Sequence, residues 1–149
     1  MITKIAEKYG ALIASWKIIE YDQDGPNLSL KAEFEFTDGS SFFVRQVVLK
    51  EFTLKYAYHW QDKEGQLRSR WDNAPHWPDI PTHPHHKHIM SGDKVFVEAS
   101  KGGDLEAIFD ALVKSQKYPE IVIPVKTGIQ EFQPFTKTLD TGFHRCDDF

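Results

Sequence analysis

Between Arg68 and His88 the chain reads RSRWDNAPHWPDIPTHPHHKH, which gathers His76, His83, His85, His86 and His88 beside Arg68, Arg70, Lys87 and the pair Asp72-Asn73. Imidazole is the side chain that both gives and takes protons near neutral pH, and it is also the commonest metal ligand. This density therefore points to acid–base chemistry or to a metal centre, with a solvated or partner-contacting loop as the plain structural alternative. Prolines at 75, 78, 81 and 84 remove backbone donors and fix φ, so the segment is expected as a rigid loop that presents imidazoles, neither a helix nor a central strand.

Such a loop needs a platform, and the flanking residues predict a sheet. Leu28, Leu30, Ala32, Phe34 and Phe36 alternate with Ser29, Lys31, Glu33 and Glu35, the period of two of a strand with one wet face. A turn over residues 37–40 leads to a β-rich run over 41–50, so residues 28–50 predict a hairpin, preceded by a strand over 11–21. In residues 53–60, Leu54, Tyr56, Tyr58 and Trp60 share one face while Lys55, Ala57 and His59 share the other. In residues 67–72, Leu67, Ser69 and Trp71 alternate with Arg68, Arg70 and Asp72. A four-residue loop over 62–65 would set Trp60 opposite Leu67, His59 opposite Arg68 and Lys55 opposite Asp72. One face of that hairpin would be aromatic core and the other a strip of Lys55, His59, Arg68, Arg70 and Asp72.

Residues 3–10 predict a short helix, and residues 94–99 one more strand. Asp104 reads as an N-cap, followed by Leu105, Ile108, Phe109, Leu112 and Val113 at the spacing of an amphipathic helix whose apolar stripe covers the sheet. The fold class is α+β: an antiparallel sheet of about five strands, with a short N-terminal helix and a C-terminal amphipathic helix packed on it. Residues 1–118 form one domain. Pro119 ends the helix, and the residues after it, to 149, lack a sustained period and contain two further prolines, so residues 119–149 are expected as a weakly ordered extension outside the core.

The 149 residues suit one hydrophobic core. The lone Cys146 can form no internal disulfide, the first residues carry no secretory pattern, and no apolar run is long enough to span a membrane. A soluble, cytoplasmic protein is expected. The formal net charge of −4 argues against tight nonspecific binding to nucleic acid. Residues 53–90 differ: five Lys or Arg (55, 63, 68, 70, 87) face four Asp or Glu (62, 64, 72, 79), and six histidines could add positive charge.

The ordered words YAYHWQ at 56–61, R-x-DNAPH at 70–76 and HPHHKH at 83–88 resemble the TumE family of toxins from toxin–antitoxin systems, over roughly residues 5–117. The resemblance implies a type II toxin related to the RelE-like enzymes, which cleave mRNA, and a small DNA-binding antitoxin as cognate partner. His83 stands where many members carry Phe or a small residue. The tail resembles something else: VIPVKTGIQ and LDTGFHRCDDF look like translated read-through of a dispersed bacterial intergenic repeat.

RNA cleavage without a metal needs a base for the 2′-OH, an acid for the leaving 5′-oxygen, and fixed positive charge on the phosphorane-like transition state. His76, His85, His86 and His88 are the acid–base candidates, Arg70 and Lys87 the phosphate holders, and Asp72 the residue that orients a histidine or Arg70. Lys55, His59, Arg68, Asn73 and Trp77 are candidates for RNA binding. On this reading no cofactor is needed, and the partners are an antitoxin and mRNA, on or off the ribosome, with a homodimer open. Asp72 and Asn73 could equally cap a turn before Pro75. Two other functions stay open: a metal-dependent hydrolase or nuclease that uses the histidine loop, and a noncatalytic partner-binding protein.

Overall fold

A computed structural model describes residues 1–50, 53–117 and 129–131. In chain order they form α1 (Ile2–Lys8), β1 (Ile13–Asp24), β2 (Asn27–Phe36), β3 (Ser41–Leu49), β4 (Thr53–Gln61), β5 (Leu67–Asp72), β6 (His86–Ser91), β7 (Lys94–Ala99), α2 (Leu105–Lys117) and β8 (Ile129–Glu131). The eight strands make one antiparallel sheet in which every strand pairs with its neighbours in sequence. Short hairpin connections join β1 through β5 and β6 to β7, whereas residues 73–85 link β5 to β6 and α2 lies between β7 and β8.

The α+β class and the two helices are as expected, whereas about five strands is too few. Seven strands lie within residues 1–117. The added strand that matters is β6, because the proline spacing predicts a loop through His88. Its cause is the position of the prolines. Pro84 is the last of them, so from His85 onward the backbone donors are free to join a ladder. Of the extension after residue 118, only Ile129–Glu131 is among the described residues, as a short strand paired with β7.

The alternation in β2 to β5 places the core. Phe34, Phe42, Tyr56, Tyr58, Trp60 and Trp71 are buried on one face beneath both helices. Phe109 of α2 meets Phe34 and Phe42 edge-on at ring-centroid distances of 5.0 Å each, the arrangement that the ring quadrupoles favour. Asp104 caps α2, since its Oδ1 accepts the Glu106 N–H at 3.1 Å. At the other end of this face Gly103 lies flat on Tyr56, where an added Cβ would sit 2.4 Å from the ring. Only glycine allows that approach.

The β4–β5 register differs from the expectation. Gln61 pairs with Leu67, Trp60 with Ser69, His59 with Arg70 and Ala57 with Asp72, with a bulge between the first two pairs. The turn explains the shift: Asp62 N–H bonds the Gln66 carbonyl, while its carboxylate accepts the N–H groups of Glu64 and Gln66 at 2.9 Å each. These bonds close the loop one residue later than expected, and Arg68 is left as the extra residue of the bulge. Face parity is preserved, but each partner of His59 and Asp72 moves.

Candidate active site

The second face of the same strands carries the polar residues. Register sets His59, Arg70, His88 and Val97 in one cross-strand row, and Ala57, Asp72, His86 and Ala99 in the next. His86 and His88 are two apart on β6 and so point to one side, with Asp72 of β5 directly opposite His86. Residues 73–85 then cross this face as successive turns. Ile80 N–H bonds the Trp77 carbonyl, His83 N–H that of Ile80 and His85 N–H that of Thr82, while Thr82 Oγ1 accepts the Ser100 N–H. The loop thereby sets the Trp77 ring edge-on against His86 and His88, at 6.4 and 6.2 Å between centroids.

Asp72 is the centre of the cluster. Its Oδ1 accepts His86 Nε2 at 3.0 Å and the Ala74 N–H at 3.0 Å, and its Oδ2 lies 3.5 Å from His88 Nε2. Arg70 Nε is 3.2 Å from Oδ2, at an angle that makes an ion pair but not a hydrogen bond. Asp72, His86 and His88 are all buried. Burial alone would favour the neutral acid. The hydrogen bonds from His86 and His88 and the charges of His86 and Arg70 outweigh it, and the Asp72 carboxyl is held well below the usual carboxylate range.

The imidazoles differ in their surroundings. His86 Nδ1 donates to the Pro84 carbonyl at 2.8 Å while Nε2 faces Asp72, so a ring that satisfies both acceptors carries two N–H groups. His88 is pushed toward neutrality, first by burial and then by the positive neighbours His86 and Arg70, with Asp72 opposing. His59, beside Arg70, is driven by burial and by that guanidinium down to about 4. Among the described residues its Nδ1 has no hydrogen-bond partner.

Six of the expected residues thus meet on one face: His59, Arg70, Asp72, His86, His88 and, against the two β6 imidazoles, Trp77. Lys87 and His85 do not join them, because their parity sends them to the helix face. Lys87 Nζ lies 5.1 Å from the Trp71 ring centroid and 3.7 Å from Glu98, and burial lowers its pKa. His85 stacks on Tyr56 and shares a 2.8 Å hydrogen bond with its hydroxyl. His76 is exposed at the start of the loop, and Lys55 lies on β4 opposite Val47, away from Asp72. Arg68, displaced by the bulge, pairs with Asp38 at 3.2 Å and covers the Trp60 ring. Asn73 pins the end of β4, accepting Tyr56 N–H at 3.0 Å and donating to the Leu54 carbonyl at 2.8 Å. Asp72 makes contacts of both kinds, accepting the Ala74 N–H of the turn and facing His86 Nε2. The groups that sequence reasoning missed are backbone ones, the Pro84 carbonyl and the Ala74 N–H, which carry no side-chain signal.

The three segments that build the cluster are YAYHWQ, R-x-DNAPH and PHHKH. A model of the family described as toxin TumE matches residues 2–115, which includes all three. The chain belongs to the TumE toxin family. No curated protein and no solved structure matches it. Every residue of the TumE-family cluster lies inside the matched span, whereas the extension after residue 118 lies beyond it. No helix among the described residues is long and apolar enough to cross a membrane.

Proposed function

We propose that this TumE-family chain is the toxin of a type II toxin–antitoxin pair and acts as an endoribonuclease on mRNA, as RelE-like enzymes do. The observation that carries the reading is the Asp72 carboxylate holding His86, His88 and Arg70 within 3.5 Å on one rigid sheet face. An acid, a base and a fixed cation are what cleavage by internal transfer requires. His88, biased to the neutral form by burial, takes the proton of the ribose 2′-OH as the 2′-oxygen bonds to phosphorus. The bond from phosphorus to the 5′-oxygen breaks, and His86 supplies the proton to that leaving oxygen. A 2′,3′-cyclic phosphate and a 5′-hydroxyl result. Arg70 supplies positive charge to the pentacoordinate phosphorane, and Asp72 orients both rings without itself changing protonation.

Trp77 covers His86 and His88, so RNA reaches them when the loop over 73–85 lifts. The cognate antitoxin is a protein that binds this chain and suppresses the activity, in the cytoplasm where both are made. Induced expression with RNA profiling tests the reading. Wild-type chain should arrest growth and generate cyclic-phosphate ends, and Arg70→Ala and His86→Ala should do neither. Equal arrest by all three would sink the assignment; binding of an antitoxin without any cleavage would favour the noncatalytic reading.

A further inference from the structure

The contact between His86 and Asp72 poses a separate chemical question. With Nδ1–H committed to the Pro84 carbonyl, His86 turns Nε2 toward a carboxylate oxygen 3.0 Å away. Two lone pairs at that distance repel unless a cation lies between them. A second proton on the ring is one such cation. A metal ion is the other, and this is how ligating histidines are commonly held, with the remote N–H on a backbone carbonyl.

We propose that Asp72, His86 and His88 bind one divalent first-row transition ion, with zinc the representative. The ligand atoms lie within 4.8 Å of one another. His86 Nε2 lies 3.0 Å from Asp72 Oδ1 and His88 Nε2 3.5 Å from Asp72 Oδ2, so each imidazole stands near a different carboxylate oxygen at a separation close to the roughly 3.3 Å between ligands of a tetrahedral ion with bonds of about 2.0–2.1 Å. Two imidazoles and one carboxylate suit zinc, manganese or iron, and they leave coordination positions for water or a phosphate oxygen. The remaining supports are in place: Ala74 N–H on Asp72 Oδ1, the Pro84 carbonyl on His86, and the Trp77 ring over both imidazoles. Arg70, 3.2 Å from Asp72 Oδ2, is a like charge to the ion and weakens its binding.

This inference uses the residues of the ribonuclease reading but does not depend on cleavage: an ion at the His86 Nε2–Asp72 contact takes the place of the proton which that reading needs on His86, so the metal-bound chain and the cleaving chain are alternative states. The experiment is a titration of the chelator-treated full chain with zinc by calorimetry and with cobalt(II) by visible absorption. One equivalent should bind. Asp72→Asn and His86→Ala should each weaken binding at least tenfold, His83→Ala should leave it unchanged, and Arg70→Gln should tighten it severalfold. Arg70→Gln separates the two ideas, since it raises metal affinity while removing the cation of the ribonuclease reading. Saturable binding that is equal in wild type, Asp72→Asn and His86→Ala would overturn the proposal. If those variants lose their far-UV circular dichroism, the wild-type cobalt spectrum decides, and absence of ligand-field bands overturns it.

Discussion

The two faces of β4, β5 and β6 are built from adjacent residues and have opposite chemistry. Tyr56, Tyr58, Trp60 and Trp71 face the helices and are buried against apolar neighbours, which makes this face a stability device. His59, Arg70, Asp72, His86 and His88 face the other way, with Trp77 against the last two, and there burial strengthens electrostatics and moves protonation equilibria. Adjacent residues of one motif thus serve different ends: in HHKH, His86 and His88 belong to the cluster, while His85 and Lys87 belong to the helix face. A string of ionisable residues is not a site until parity has divided it.

Substitutions on the two faces should separate activity from stability. The largest effect is expected at Arg70→Ala and His86→Ala, with RNA cleavage reduced by on the order of 10²-fold or more in an end-mapping assay. Lys87→Ala and His85→Ala should stay within about threefold of wild type per folded molecule, because both side chains lie on the opposite face; a loss as large as that of His86→Ala would erase the distinction. On the helix face, Phe109→Ala should cost about 3–5 kcal/mol in urea unfolding with cleavage per folded molecule retained. Gly103→Ala forces a methyl against Tyr56 and should cost about 1–3 kcal/mol by the same measurement.

The smaller effect is pH dependence. His59 titrates at about 4 when folded and near 6.5 when unfolded, so the unfolded chain binds the extra proton between those values. Its contribution to stability is complete above about pH 6.5 and is lost as pH falls toward about 4, on the order of 3 kcal/mol at most. His88, also lowered, acts in the same sense. Asp72, lowered in turn, holds its contribution above its unfolded value near 3.9 and loses it in stronger acid. Urea midpoints at pH 7 and pH 4.5 check this, and His59→Phe should show a shallower loss than wild type.

Much of the architecture was legible because it depends on local pattern. The β2–β3 hairpin, the Asp104 cap, the α2 stripe and the assignment of Tyr56, Tyr58, Trp60 and Trp71 to core follow from period and propensity, which each segment carries within itself. The candidate site was legible only as a group of residues. A turn one residue longer than expected, closed by hydrogen bonds of Asp62, and a bulge at Arg68 together moved His59 from Arg68 to Arg70 and took Lys55 away from Asp72.

By itself, then, the sequence determined which residues share a face within a strand, where chain reversals fall and which residues cap a helix. Tertiary structure alone decided that His86 and His88 form a strand, that this strand pairs with β5 so that His86 meets Asp72, and that Trp77 covers them. The physical reason is range. Alternation and capping are set by neighbours a few residues away, whereas strand pairing joins residues 14 positions apart in the case of Asp72 and His86, and is selected by the whole sheet's packing.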